Sequence, residues 1–172
     1  MKSKAFSTRI LAETTVMVAL STALSTIKMY HLPQGGTITA GSMVPLFWFS
    51  LRRGPRAGVL TCIVYGLVQF MLEPYVYHPV QVLLDYPIAF GVIGLAGFFK
   101  KRPLVGVAVG IVGRFVAHFL SGIIFFAEFA PPGMSPVLYS ALYNGSYLAG
   151  ELVISAFLMY LIVKRRLLDI YL

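Results

Sequence analysis

The stretch KKRPLVGVAVGIVGRFVAHFLSGIIFFAEFAPPG, residues 100–133, decides the fold. It opens on three consecutive cations, continues as an almost wholly apolar run, and ends in a loop that holds no Lys or Arg. A transmembrane helix needs about 20 apolar residues, and cytoplasmic loops of membrane proteins are enriched in Lys and Arg. The stretch therefore predicts one membrane-spanning helix, roughly 104–126, that runs from the cytoplasmic side to the outer side.

The same charge pattern extends along the whole chain. Twelve of the 14 Lys and Arg residues fall in four clusters, which are Lys2/Lys4/Arg9, Arg52/Arg53/Arg56, Lys100/Lys101/Arg102 and Lys164/Arg165/Arg166. Each interval between clusters is long enough for the chain to cross a bilayer and return. By the positive-inside rule we expect every cluster, and both termini, on the cytoplasmic side.

Composition supports an integral membrane protein. The 172 residues are 58% hydrophobic and only 12% charged, against about 25% charged residues in soluble domains. The six predicted helices cover roughly 9–29, 43–51, 57–72, 80–99, 104–126 and 137–163, and the second is too short to cross a bilayer straight. We predict an all-α protein of six transmembrane helices that forms a single integral membrane domain over residues 1–172.

Several other classes of protein lack support in the sequence. The net charge of +8 follows membrane topology, without the basic helix of a nucleic-acid-binding protein. The sequence has no Walker loop, no zinc-ligand spacing and no nucleophile elbow, so we expect no enzyme, no cofactor and no metal site. Cys62 is alone and forms no intramolecular disulfide. The N-terminal apolar run lacks a cleavage site at the usual distance, and we expect a retained first helix.

Ionisable residues within apolar runs are costly and are candidates for function. They are Glu13, Asp85, Arg114, His118 and Glu151. Glu13 follows Arg9 by four residues, a spacing that predicts an ion pair at the membrane interface. Glu151 has two interpretations, a buried partner of Arg114 or a functional group.

Three polar residues indicate a pocket. Asp85, His118 and Asn144 lie at similar depth on three different predicted helices, with tyrosines around Asn144. A carboxylate attracts a cation, an amide suits the edge of a heterocycle, and aromatic rings stabilise cations through their faces. The combination favours a flat, cationic, nitrogen-rich solute bound near the outer face.

The first predicted helix carries small residues at four-residue spacing, Thr15, Ala19 and Ala23. Such faces allow helix backbones to approach closely in lipid. Docking of a second membrane protein and packing within this chain both fit this pattern.

Five strings, in order along nearly the full length, carry a resemblance to a known family: LPQGG (32–36), SLRRGPRAG (50–58), HPVQVLLDYPIAFGVIGLAGFF (78–99), RFVAHFLSGIIFFAEFAP (114–131) and YSALYNGSY (139–147). The chain resembles the substrate-binding S components of energy-coupling factor (ECF) vitamin transporters, within them the thiamine-specific branch. The resemblance implies a bacterial cell-membrane protein whose partners are a T component and two ATPase subunits.

The resemblance also implies roles for individual residues. Asp85 matches the acidic residue that contacts thiamine, Tyr86 is its neighbour, His118 is the pocket imidazole and Phe126 is the stacking aromatic. The further candidate ligand contacts are Tyr139 and Asn144 on the last helix, Tyr77 in the second outer loop, and Gln34, Gly35 and Gly36 in a lid loop. Thr15, Ala19 and Ala23 match the surface that docks the T component. Another flat vitamin or a thiamine precursor as ligand, and a purely structural scaffold, are the alternatives.

Overall fold

The computed structural model describes residues 8–168, and this part of the chain is mostly helical. The helices are α1 (Thr8–Ser25), α2 (Val44–Arg53), α3 (Pro55–Leu72), α4 (Pro79–Phe99), α5 (Pro103–Phe125) and α6 (Pro136–Lys164). Two short strands, β1 (Lys28–His31) and β2 (Thr37–Thr39), lie between α1 and α2. Within the described residues, α3, α4, α5 and α6 are long and apolar enough to cross a membrane.

Proline begins four of the helices. The first residues of α3, α4, α5 and α6 are Pro55, Pro79, Pro103 and Pro136. Proline suits the first helical position because its fixed φ matches the helix and its missing N–H would have no helical partner there. The predicted starts at 57, 80, 104 and 137 are one or two residues late, because each leaves the proline outside the helix.

The short helix α2 lies in the centre of the core. Its ten residues rise about 15 Å, half of a hydrocarbon layer of about 30 Å, so the predicted shortness is confirmed. Seven of the ten are buried, and Phe47 and Phe49 are fully enclosed. Around them, side chains from α3, α4, α5 and α6 form the remainder of the core.

A β-hairpin replaces the end of the first predicted helix, which was drawn four residues too long. Helix α1 ends at Ser25, and β1 pairs antiparallel with β2 so that Lys28 faces Thr39 and His31 faces Thr37. The short segment 28–31 fits helix and strand equally by periodicity. Pairing with the β-branched residues of 37–39 selects the strand.

Helix α4 has the predicted extent but an irregular winding. Its middle, Leu84–Ile88, is π-helical around Pro87, and its last eight residues, Val92–Phe99, form a 3₁₀ helix. Proline within a helix removes a backbone donor and clashes with the preceding turn, which accounts for the wider turn at Pro87. Gly94 and Gly97 bring the 3₁₀ segment directly against the backbone at the start of α3.

Three basic clusters and Arg9 lie at one end of the helices. Lys100 Nζ donates to the Arg52 carbonyl at 3.0 Å, which joins the second and third clusters. The indole N–H of Trp48 on α2 donates to the Leu167 carbonyl beside the fourth cluster. Arg53 and Arg9 both bond Glu13, so the predicted Arg9–Glu13 pair is part of a larger contact. Lys2 and Lys4 of the first cluster lie outside the described residues.

We expect Gly94→Ala to lower the thermal unfolding midpoint of the detergent-purified protein. An added Cβ would clash with the Val59 backbone, and overpacking costs about 1–3 kcal/mol or more. Gly145→Ala is the matched control, since its Cβ would lie 3.9 Å from Phe115 and Ala is preferred over Gly in helices by about 0.5–1 kcal/mol. Equal midpoints for the two variants would contradict the close contact between α3 and α4.

Candidate ligand-binding cavity

A cavity of about 320 Å³ lies between the hairpin and the ends of α3, α4, α5 and α6 that are remote from the basic clusters. Of the predicted ligand contacts, eight line it: Gln34, Gly36, Asp85, Tyr86, His118, Phe126, Tyr139 and Asn144. Gly35 also lines it. Their positions come from one loop and three helices, so the convergence expected from the sequence is present in the fold.

Asp85 lies at the centre of a hydrogen-bond cluster. Its Oδ1 is 2.9 Å from His118 Nδ1, and its Oδ2 accepts hydrogen bonds from Gln81 Nε2 at 2.8 Å and Ser121 Oγ at 2.9 Å. Arg114 Nε donates to His118 Nε2 at 3.2 Å. Because that nitrogen accepts, the proton of a neutral imidazole sits on Nδ1 and points at Asp85. The carboxylate is thus solvated by protein groups within an apolar bundle.

The π-helical turn of α4 sets the direction of Asp85 and Tyr86. A π turn inserts an extra residue, and such turns are frequent at functional sites. Gly66 on α3 makes room for it, because a Cβ at Gly66 would lie 2.6 Å from the Tyr86 carbonyl oxygen. The Tyr86 hydroxyl donates to the Glu73 carbonyl at 2.8 Å and accepts from the Tyr75 N–H at 2.9 Å. Tyr86 therefore fixes the loop that follows α3.

Asn144 joins α6 to α5 beneath the aromatic part of the wall. Its Nδ2 donates to the Ser140 carbonyl at 3.0 Å and lies 3.3 Å from the His118 carbonyl. Its Oδ1 accepts from the Tyr147 hydroxyl at 3.1 Å. The amide is 6% exposed, so the protein already holds it in one orientation towards the cavity.

Aromatic rings cover much of the remaining wall. Phe126 packs against Tyr75 at a centroid distance of 5.8 Å, and Tyr139 against Tyr143 at 5.9 Å. Tyr77, a predicted ligand contact, is not among the lining residues. Its ring packs on Phe126 at 5.7 Å and its hydroxyl donates to Glu128. This hydrogen bond raises the pKa of the Tyr77 hydroxyl.

The hairpin tip closes one side of the cavity. Gln34 has a left-handed backbone, with φ of 60°, and is followed by Gly35 with φ of 91°, a conformation that glycine adopts without strain. The Gly36 N–H donates to the Tyr143 hydroxyl at 3.0 Å, and that hydroxyl donates to the Pro33 carbonyl. A Cβ at Gly36 would lie 2.9 Å from the Tyr147 ring, so the tip rests directly on α6.

Glu151 and Arg114 line the inner part of the same cavity. Of the two interpretations of Glu151, an ion pair with Arg114 is not present in the part of the chain that the structure describes. Glu151 Oε1 instead accepts from the Thr39 N–H at 2.6 Å and hydroxyl at 2.8 Å. Arg114 lies over the Phe90 ring, 4.2 Å from its centroid, and contacts Met43 Sδ.

The charged residues of the lining are unbalanced. Three carboxylates, of Glu73, Asp85 and Glu151, face two cations, Lys28 and Arg114. Lys28 Nζ lies 2.6 Å from Glu73 Oε1 at the exposed rim. With His118 neutral, the formal count of these groups gives the described wall one negative charge in excess.

Sequence reasoning missed Gln81, Ser121 and Thr39. Gln81 precedes Asp85 by four residues and Ser121 follows His118 by three, spacings that place each pair on one helix face, so helical periodicity could have found both. Thr39 lies 112 positions from Glu151, and nothing local to either residue signals that contact.

The predicted docking residues lie apart from the cavity. Thr15, Ala19 and Ala23 are exposed on α1, and the Thr15 hydroxyl is satisfied by the Leu11 carbonyl of the same helix. Among residues 8–168 no group of three or more His, Cys, Asp or Glu side chains is placed to hold a metal ion.

Comparison with known proteins finds relatives over most of the chain. Thiamine transporter ThiT of Bacillus subtilis (strain 168) is 34% identical over 171 residues, and the match covers 88% of each chain. Thiamine transporter ThiT of Lacticaseibacillus paracasei is 26% identical over 160 residues, with coverage of 79% of this chain and 77% of the relative. Both relatives are named as transporters.

A solved structure of ThiT from Listeria monocytogenes has the same fold. It superposes with a TM-score of 0.82 at 24% identity and covers 91% of this chain and 93% of that chain. The family model described as thiamine transporter protein (Thia_YuaJ) matches residues 11–169. The chain therefore belongs to the thiamine transporter protein family.

Proposed function

We propose that this protein is the thiamine-binding S component of an ECF-type vitamin importer in the bacterial cell membrane. It captures thiamine with high affinity from the outer side, and a T component with two ATPase subunits drives release inside. The observation that carries the proposal is Asp85, a carboxylate held by three protein donors in the wall of an aromatic-lined cavity. Membership of a family of thiamine transporters supports the choice of ligand.

The electrostatics of the cavity match a monocation. Thiamine carries one positive charge on a flat thiazolium ring and a second flat ring, the aminopyrimidine. The wall offers one excess negative charge and a set of aromatic faces, and aromatic faces stabilise cations electrostatically. A phosphate or dicarboxylate ligand would require more cations than Lys28 and Arg114 provide.

The exposed face of α1 supports a partner in the membrane. Thr15, Ala19 and Ala23 form a strip of small side chains on one side of the helix, and small residues permit close backbone approach without large loss of side-chain entropy. The chain carries no nucleotide-binding loop of its own, so ATP hydrolysis falls to the partners. We assign the end that carries the basic clusters, with both termini, to the cytoplasm.

Asp85→Asn is expected to weaken thiamine binding by about 10- to 150-fold, since a hydrogen bond to a charged group contributes about 1.5–3 kcal/mol. Titration calorimetry of the detergent-purified variants measures the change. Glu128→Gln is the matched control, because Glu128 bonds Tyr77 outside the cavity lining, and it should leave the affinity within twofold of wild type. Wild-type affinity in Asp85→Asn would contradict the proposed charge recognition.

The ligand's charge should matter more in the wild-type protein than in Asp85→Asn, which lacks the carboxylate. A thiamine analogue with a neutral ring in place of the thiazolium should bind wild-type protein at least tenfold more weakly than thiamine. In Asp85→Asn the preference for thiamine over that analogue should shrink. Riboflavin and hydroxymethylpyrimidine serve as comparison ligands, and tighter binding of either than of thiamine would transfer the assignment to that ligand.

Ala19→Phe is expected to abolish thiamine uptake in cells while leaving thiamine binding by the purified protein unchanged, because the added ring blocks close approach of a partner helix. Ala149→Phe provides the control, since Ala149 is likewise an exposed alanine, but on α6, and should retain both properties. Uptake at the wild-type rate by Ala19→Phe would count against docking through this face.

A further inference from the structure

Glu151 places a second carboxylate in the cavity wall, one that the recognition of a cation by Asp85 does not use. It lies seven residues beyond Asn144 on α6, about 10 Å deeper at 1.5 Å per residue. The side chain is 1% exposed, and it is part of the same cavity lining as Asp85 and Gln34. Apart from Glu73 at the exposed rim, the cavity thus has two acidic positions at different depths.

The two oxygens of Glu151 have different surroundings. Oε1 accepts hydrogen bonds from both the N–H and the hydroxyl of Thr39. Oε2 is buried and has no hydrogen-bond partner among the described residues. A buried acceptor without a donor loses its hydration uncompensated, at a cost of about 1–3 kcal/mol or more for a charged group. Native proteins hold few such atoms, and each calls for an explanation.

Arg114, the nearest candidate cation in the lining, is engaged elsewhere. Its Nε donates to His118, its guanidinium covers the Phe90 ring, and its terminal nitrogen contacts Met43 Sδ. These contacts hold the side chain towards α2, α4 and its own helix α5. Glu151 thus gives the cavity lining a buried oxygen without a donor, while the polar groups around Asp85 and Asn144 are already paired.

We propose that Glu151 Oε2 is a ligand-binding atom that accepts a hydrogen bond from a neutral N–H or O–H donor at the inner end of the ligand. The proposal rests on the proposed thiamine function, and it adds a second point of recognition that selects the ligand's polar end. Thiamine offers two such donors, the amino group of its pyrimidine and the hydroxyl of its hydroxyethyl arm. Both present the same chemistry to a carboxylate oxygen.

A hydrogen-bond acceptor without a partner at this depth makes binding selective for ligands that carry a donor. A site built to bond an N–H or O–H group rejects an analogue that lacks it, because the protein atom is then left buried and unpaired. Asp85 discriminates by charge, whereas Glu151 discriminates by the presence of a donor. Flat cations without a donor at the inner end should therefore bind weakly although they satisfy Asp85.

The test compares three ligands: thiamine, an analogue with hydrogen in place of the amino group, and an analogue with ethyl in place of the hydroxyethyl arm. Glu151→Gln should weaken thiamine binding by about 10- to 100-fold. In this variant the amide oxygen accepts from the Thr39 N–H, so the amide NH₂ takes the position of Oε2. That NH₂ and the ligand's N–H or O–H are both donors and cannot bond each other. The analogue that lacks the donor bound by Oε2 should bind wild-type protein and Glu151→Gln with equal affinity. The other analogue should lose affinity in Glu151→Gln by the same factor as thiamine.

Thr39→Val separates ligand contact from anchoring of the hairpin. It removes one hydrogen bond to Oε1 and leaves Oε2 and the backbone N–H in place, so any loss should be the same factor for all three ligands. An equal loss for all ligands in Glu151→Gln, or the ligand-selective pattern in Thr39→Val, would overturn the proposal.

A measurement on wild type alone covers the case in which Glu151→Gln does not fold. One of the two analogues must bind at least tenfold more weakly than thiamine, and equal affinity for all three ligands would refute the role of Oε2. Absence of thiamine binding by folded wild-type protein would instead overturn the proposed function itself, so the two failures are distinguishable.

Discussion

The solvation of one carboxylate inside an apolar bundle constrains the rest of the site. Asp85 cannot remain buried unless protein groups replace its water, and Gln81, His118 and Ser121 do so from two adjacent helices. Arg114 completes the chain by donating to the far nitrogen of His118, which fixes the tautomer that donates to Asp85. The π turn at Pro87 aims the carboxylate at these partners, and Gly66 allows that wider turn to lie against α3. Loss of His118, or of Gln81 and Ser121 together, would leave one oxygen of Asp85 without a donor.

The position of the β-hairpin depends on its contacts with α6. Three residues of α6 hold it: Tyr143 bonds its tip, Gly150 receives Ile38 in close contact, and Glu151 bonds its base at Thr39. On the opposite side the contact is the ion pair of Lys28 and Glu73, whose Glu73 side chain is 59% exposed. Exposed ion pairs contribute about 0–1 kcal/mol, less than a set of buried hydrogen bonds and packing contacts. The hairpin is therefore fixed more firmly to α6 than to α3.

The sequence predicted what depends on charge, hydropathy and helical period. The number and extent of the helices, the common end of three basic clusters, and the convergence of Asp85, His118 and Asn144 all follow from those signals. It was insufficient where long-range contacts decide: the 28–31 segment is a strand because 37–39 pairs with it, and of the two interpretations of Glu151 the pairing with Arg114 is replaced by a contact with Thr39. The winding of α4 was missed for a local reason, since Pro87 was counted within a regular helix. Tyr77, predicted as a ligand contact, packs its ring on Phe126 and is not among the residues that line the cavity.

The distribution of charge unites orientation with recognition. Twelve of the 14 cations fall in four sequence clusters, and the remaining two, Lys28 and Arg114, both line the cavity. Of the six acidic residues, three line the cavity and Glu128 lies beside it on Tyr77. Glu13, by contrast, joins the basic end through Arg53 and Arg9. The described chain is thus positive at one end and negative at the other. Because opposite charge attracts a ligand over about a Debye length, the same asymmetry that orients the helices in a membrane also draws a cation towards the cavity.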